Sequence, residues 1–255
     1  MRLYLYTYQT IVRFGHPVVH HSVMLRCQPA ANVCQTIRQQ HLVLPPDYWM
    51  CPGTDAYGNQ MLYGGARCPT EVFAYVSTGI VATDAYAIPD RAGGGWLYRL
   101  PSRLTQLEDS APCAAPRTVQ DPLGVAADIC HQVYGMLEYV PDSTDVDTSA
   151  SEVLRAGRGV CQDYAHLMIA LCRQQGLATR YVNGFVEGTG QTHAWVEVHD
   201  GCCWRGFDPT HDRQIEHGYV KIAHGRDSAD CPVSRGMFCG PAAHQTFINV
   251  TLQEL

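Results

Sequence analysis

The sequence predicts an α+β fold in two parts. An N-terminal antiparallel β module, sandwich-like, occupies residues 1–112, and a core of helices followed by a sheet occupies 113–255. Three observations predict it. The first hundred residues are short runs rich in Val, Ile, Tyr and Thr, divided by turn chemistry. Composition then shifts across Ile88–Arg117, where Pro89, Gly93-Gly94-Gly95, Pro101, Pro112 and Pro116 break any long element. Beyond that stretch helical periodicity comes first, and three strand-like runs follow it.

Taken in order, the expected N-terminal strands are Arg2–Arg13, Val18–Arg26, Asn59–Tyr63, Glu71–Ser77 and Gly79–Ala87. Gly15-His16-Pro17, Pro45-Pro46-Asp47 and Tyr57-Gly58-Asn59 supply turns. No titratable cluster stands out, so the module reads as structural or substrate-flanking. After the linker, Asp121 is placed as an N-cap and Pro122 at the first helical position. Leu123, Ala126, Ala127, Cys130, Val133, Tyr134, Leu137 and Val140 then form an apolar stripe that Pro141 ends. Ser149 and Glu152 have capping-box spacing and open a short helix closed by Gly157 and Gly159. A third helix starts at or near Cys161, carries Tyr164, Ala165, Met168, Ile169 and Cys172 on one face, and stops at Gly176. Ala178–Val186, His193–His199 and Cys203–Asp208 read as an antiparallel meander.

Composition narrows the function classes. A length of 255 residues suits one to two domains, and a 46% hydrophobic share excludes disorder. The net charge of −6 argues against a general phosphate-binding surface, so no nucleic-acid partner is expected. No apolar run approaches the ~18 residues of a membrane helix, and MRLYLYTYQT lacks the apolar core of a secretory signal. The expectation is a cytoplasmic protein with no membrane partner; oligomeric state leaves no signal. Twelve Cys and twelve His are the unusual counts. Disulfide frameworks belong to short secreted chains, and the cysteines contain no CxxC pair of the kind structural zinc uses. Neither metal nor cofactor is therefore expected. Cys202-Cys203 stands where a polar turn would be ordinary and is expected to leave two thiols near the site.

Position, not number, separates one cysteine from the rest. A helix N-terminus offers unpaired N–H groups and a positive dipole end, which favour a thiolate and can face the oxyanion formed on a substrate carbonyl. Cys161 is the cysteine so placed, and its backbone N–H is the expected oxyanion donor. Gly159 leaves room for close approach and is placed in the substrate groove. A base must come from another element. His193 starts a strand on which Trp195 and Glu197 share its face, while Ala194, Val196 and Val198 face the core. Asp208 ends the next strand and would lie near His193 in a hairpin, orienting the ring. Singly, a strand histidine or a buried cysteine is ordinarily structural; the three together point to nucleophile, base and orienter. Trp195 and Trp204 are candidates for lining the groove, with packing as their alternative. Asp163 reads as a capping acid, and His166, about 140° around the helix from Cys161, is not expected to be the base. Arg226 and Asp227 are expected to form a structural ion pair.

GVCQDYAHLMIALCR, HAWVEV and GFDPTH resemble the core of the bacterial transglutaminase-like proteins, distant relatives of papain-type cysteine proteases. The resemblance continues through Val146–Ala150 and HGRDSADCPVSRGMFCG, and the β-rich N-terminal region, including Gly53-Thr54-Asp55 and Gly58-Asn59, resembles the module that precedes this core. The resemblance implies a papain-like transglutaminase core with a Cys161-His193-Asp208 triad. It implies acyl transfer through a thioester, without metal, on a peptide, protein or small amide. It leaves the second oxyanion donor unidentified. Hydrolysis of an amide is the leading expectation, with transfer to an amine as the alternative. A non-catalytic peptide-binding protein would be favoured by loss of Cys161 or His193, and both are present.

Overall fold

Twelve residues after the start, where a turn is expected, the first strand instead continues. In the computed structural model, which describes residues 1–90, 94–108 and 119–255, β1 runs unbroken from Arg2 to Leu25. Tyr4, Tyr6, Tyr8 and Thr10 alternate inward along it and are fully buried, the period-2 pattern of a strand with one buried face. At Gly15-His16-Pro17 the pairing register only shifts, between Arg13 and Val18. The strand continues there because new neighbours take over its backbone groups.

The other elements are β2 (Gln35–Val43), β3 (Trp49–Thr54), β4 (Gln60–Ala66), β5 (Thr70–Thr83), β6 (Ile88–Pro89), a 3-10 turn (Gly94–Arg99), α1 (Pro122–Met136) and β7 (Glu138–Tyr139). There follow α2 (Ala150–Ala156), β8 (Arg158–Gly159), α3 (Cys161–Gln174), β9 (Thr179–Val186), β10 (Gly188–Gly190), β11 (His193–His199) and β12 (Cys203–Asp208). The chain closes with β13 (Arg213–Gln214), β14 (Tyr219–Gly225), β15 (Ser234–Cys239) and β16 (His244–Glu254).

Among the described residues these form an eight-stranded and a six-stranded sheet, both antiparallel, with β7 and β8 a short parallel pair. The large sheet is built on β1, whose first half pairs with β5 and β16 and whose second half pairs with β4 and β15. Short strands were the expectation; here one long strand, β1, carries the hydrogen bonding of both groups of neighbours. The two runs expected over Glu71–Ala87 likewise merge into β5. Strands β2, β3, β15 and β16 escape the sequence pattern because much of their surface is exposed. Backbone pairing holds most of their length, with Val250 and Leu252 of β16 reaching the core.

The division expected at 112/113 lies outside the described residues, as do Gly93, Cys113 and the prolines at 112 and 116. Sheet membership does not follow it: β10, β15 and β16 join the N-terminal sheet, and β6 pairs with β12 of the other. The six-stranded sheet, ordered β13-β12-β11-β9-β14 with β6 also on β12, contains the expected meander of β9, β11 and β12. Aromatic packing joins the sheets, with Tyr6 and Tyr8 each against Phe185 of β9 at ring separations of 5.6 and 5.4 Å.

The helices start where their caps dictate. Asp121 accepts from the Gly124 N–H at 2.9 Å, and Pro122 opens α1. This helix ends at Met136 rather than at Pro141, because Glu138 and Val140 donate to the carbonyls of Gly157 and Gly159 in the β7–β8 pairing. Ser149 and Glu152 form the capping box of α2, and Gly157, at φ +64°, closes it in the left-handed region that glycine tolerates. α3 is the central helix and is buried nearly all round, so its expected one-sided apolar face is too narrow. Its buried polar residues are partnered. Arg173 donates to Tyr98 O, Thr105 Oγ1, Thr179 O and Arg226 O at 2.6–2.9 Å.

Candidate active site

Cys161 is the first residue of α3, and Val160 before it is extended, at φ −115° and ψ 179°. Asp163 folds back over this start. Its Oδ2 accepts from the Val160 N–H at 2.7 Å and from the Thr144 hydroxyl at 2.6 Å, the capping role expected of it. Gly159 makes that possible, since a Cβ there would lie 2.6 Å from the Asp163 Cβ. Gly159 therefore makes room for the cap and is absent from the cavity walls around Cys161.

His193 begins β11 opposite Gly184 of β9, and Asp208 ends β12. Their side chains meet at 2.8 Å, His193 Nε2 to Asp208 Oδ2. That contact occupies Nε2. Burial opposes the charged ring, but hydrogen bonds to Asp208 and Cys161 outweigh it and raise the His193 pKa to about 10. Asp208 is fully buried. Burial opposes its charge too, yet hydrogen bonds from His193, His211 and Tyr219 hold the carboxyl well below the usual range. The structure thus holds His193 on Asp208, with Cys161 near enough to help raise the His193 pKa.

Two members of this cluster escape sequence reasoning. His211 Nδ1 and Tyr219 OH reach the same Asp208 Oδ2 at 2.7 and 2.5 Å. His211 carries a usable signal, three residues beyond Asp208 in GFDPTH. Tyr219 carries none, because β14 approaches through the fold. The ligand atoms of His193, Asp208 and His211 lie within 4.8 Å of one another, as do those of Asp200, Cys202 and Cys203. These are the groups whose spacing could admit a metal ion among the described residues. In the first, a ring nitrogen of each histidine is already directed at Asp208.

Other expectations need correction. Neither Trp195 nor Trp204 lines a groove. Trp195 is fully buried, donating to Tyr86 OH at 3.0 Å and packing edge-on to Tyr219. Trp204 is buried under the Arg180 guanidinium, 4.2 Å above its ring. Cys202 precedes β12 and Cys203 opens it, about 17 Å from Asp208 by the ~3.3 Å strand rise. The pair is not beside the site. Arg226 pairs with Asp230 at 2.9 Å rather than with Asp227, whose carboxylate accepts from Ala229 N–H. His166 is buried and accepts from the Ser228 N–H at 3.1 Å. Burial lowers its pKa to about 4, so it is a neutral structural acceptor.

Two cavities meet at Cys161. One, of about 370 Å³, is walled by Gln162, Tyr181, Asn183, Ala194 and Ser228 among others. The other, of about 720 Å³, carries His193 and His211 with Tyr139, Asp142 and Glu187. Thr192 borders both. Among the described residues no helix is long and apolar enough to cross a membrane.

A thiol at a helix start, near an imidazole that holds a buried carboxylate on an antiparallel sheet, defines a class of thiol–imidazole proteins. Within it, residues 4–82 match the bacterial transglutaminase-like N-terminal region and residues 114–209 match the transglutaminase-like superfamily. The chain belongs to the bacterial transglutaminase-like proteins. An uncharacterized protein of Mycobacterium leprae is 33% identical over 129 residues, 47% of this chain and 46% of the relative. One of Mycobacterium tuberculosis is 36% identical over 146 residues, 51% of this chain and 46% of the relative. The chain spans about half the length of these curated relatives. A crystal structure described as a "Putative Cysteine Protease from Cytophaga hutchinsonii" superposes with a TM-score of 0.80, 24% identity and coverage of 100% of this chain and 91% of that one. This likeness establishes the fold.

Proposed function

We propose that the protein is a cysteine-dependent hydrolase of amide or peptide bonds, acting through Cys161, His193 and Asp208. The observation that carries the reading is His193, held by Asp208 at 2.8 Å and near enough to Cys161 for that thiol to help raise its pKa. The Cys161 thiolate attacks a carboxamide or peptide carbonyl carbon, and the carbonyl electrons move to its oxygen, which faces the Cys161 backbone N–H. As the C–N bond breaks, His193 gives its proton to the leaving amine, and a thioester remains. Water then attacks the thioester and loses its proton to His193. The C–S bond breaks, releasing a carboxylic acid and restoring the thiolate–imidazolium pair. Asp208 stays ionised throughout and orients the ring.

Transfer to an amine is a second reading, favoured by one observation. The cavity on the His193 side carries Asp142 and Glu187, carboxylates without an ion-pair partner among the described residues, which would attract a cationic amine in place of water. Peptides, protein side-chain amides and small amides are the proposed substrates under either reading.

The test uses p-nitrophenyl acetate as an acyl donor, since it acylates a competent thiolate without requiring a particular substrate. Cys161→Ala is expected to abolish the enzymatic release of p-nitrophenolate while the melting temperature is unchanged. Retained release overturns the reading. Added hydroxylamine separates the two outcomes: hydroxamate formation beyond that of water competition supports amine transfer. Iodoacetamide is expected to label Cys161 first among the twelve cysteines.

A further inference from the structure

Attack on a carbonyl places a negative charge on its oxygen, and one backbone N–H seldom balances that charge alone. The leaving amine must face His193, which lines only the larger of the two cavities. The carbonyl oxygen is left with the smaller one. Both amide side chains of that wall are engaged: Gln162 donates to Asp145 O at 3.3 Å, and Asn183 donates to Cys231 O at 3.0 Å.

Tyr181 differs. It sits in mid-β9, paired with Val196 of β11 on one side and Gly225 of β14 on the other. Its ring packs 5.2 Å from that of His166, which fixes it beneath α3, five residues along that helix from Cys161. Only 2% of the residue is exposed. Among the described residues its phenol oxygen has no hydrogen-bond partner, and it is not one of the sealed-off unpartnered atoms of the interior. The free hydroxyl therefore belongs to the wall of the cavity that Cys161 shares. Burial, reinforced by the negative charge of Cys161, keeps this phenol protonated far above the ordinary tyrosine range, so it remains an O–H donor. Tyr139, which also lies beside Cys161, borders the opposite cavity and is half exposed.

We propose that the Tyr181 hydroxyl is the second oxyanion donor, opposing the Cys161 backbone N–H across the carbonyl oxygen. This rests on the acyl-transfer reading above. As the C=O electrons collect on oxygen, Tyr181 donates a hydrogen bond and keeps its proton; the bond weakens when the carbonyl reforms in the thioester.

Two reactions of the same thiol separate this role from a structural one. Acylation by p-nitrophenyl acetate passes through a tetrahedral oxyanion, and its leaving group needs no proton from His193. Alkylation by iodoacetamide displaces iodide and forms no oxyanion. Tyr181→Phe, which keeps the ring and its packing, is expected to slow acylation by about 100-fold, as loss of one oxyanion donor does, with the alkylation rate and melting temperature unchanged. If both rates fall together, Tyr181 only positions Cys161 and the proposal is overturned. Unchanged acylation overturns it as well. Normal acylation by Tyr181→Phe with none by Cys161→Ala rejects this proposal alone, whereas acylation retained in Cys161→Ala rejects the acyl-transfer reading itself.

Discussion

Asp208 carries three donors on a single carboxylate oxygen, and each has a different origin: the next strand, the following turn and a strand brought in from the far side. This convergence supports the raised His193 pKa of about 10 and gives it a testable pH signature. The imidazolium is the form that protonates a leaving amine, so amide turnover is expected to decline as pH rises through about 10. In Asp208→Asn the acceptor that holds the proton is weakened. The basic limb of kcat/KM should move to lower pH, with the plateau reduced by about 10²–10⁴-fold. A limb that stays in place would assign the titration to another group. Cys161, His193 and Asp208 were each legible as candidates because local signals marked them: a helix start, a strand start after a Gly-rich loop, and a strand end. Tyr181 and Tyr219 were not, because nothing near them in the chain distinguishes a tyrosine that meets a carboxylate or cavity from one that fills a core.

At the scale of elements, β11 divides its residues between two tasks. Ala194, Val196 and Val198 face inward and are buried with α3, while His193, Trp195 and Glu197 occupy the other face. Glu197 lies opposite Arg180 in the β9–β11 register and also meets Lys221 Nζ at 2.8 and 2.9 Å and Tyr86 OH at 2.6 Å. Burial opposes its charge, but Arg180 and Lys221 bring the pKa down to about 2. One slip of register would separate Glu197 from Arg180 and turn His193 away from Asp208 together. Glu197→Ala leaves two buried cations unpaired and should cost about 3–5 kcal/mol of stability, read by urea denaturation. A loss within about 0.5 kcal/mol, the size of an ordinary surface change, would mean that the network is not what pins the register. The alternation on β11 was readable from sequence; its partners were not, since Arg180 and Lys221 belong to strands whose pairing is non-local.

Across the whole molecule, the N-terminal part and the core are joined by side chains that act as pieces of backbone. Asn59 donates to the His224 carbonyl at 2.7 Å and accepts from the His224 N–H at 2.9 Å, while Gln35 brackets Lys221 in the same way at 2.8 Å. Arg26 holds Asp55, which in turn holds Asn59. The Gly58-Asn59 turn noted in the sequence is thus a clamp on β14, the strand that supplies Tyr219 to the site. Asn59→Ala should strand both His224 groups and destabilise the protein by about 2–4 kcal/mol, with one cooperative unfolding transition. Two separated transitions would show that the parts fold independently.

By itself the sequence determined the helix starts, the three strands that follow α3, and the candidacy of Cys161, His193 and Asp208. Those features rest on caps, periodicity and turn residues, all of which act within a few positions along the chain. Tertiary structure alone decided that β1 runs straight through an expected turn and that β16 returns to pair with it. It also decided that both candidate groove tryptophans are interior, and which donors gather on Asp208. Each of these depends on what lies across a sheet or above a ring, and the free energy of such contacts is set by partners far away in sequence.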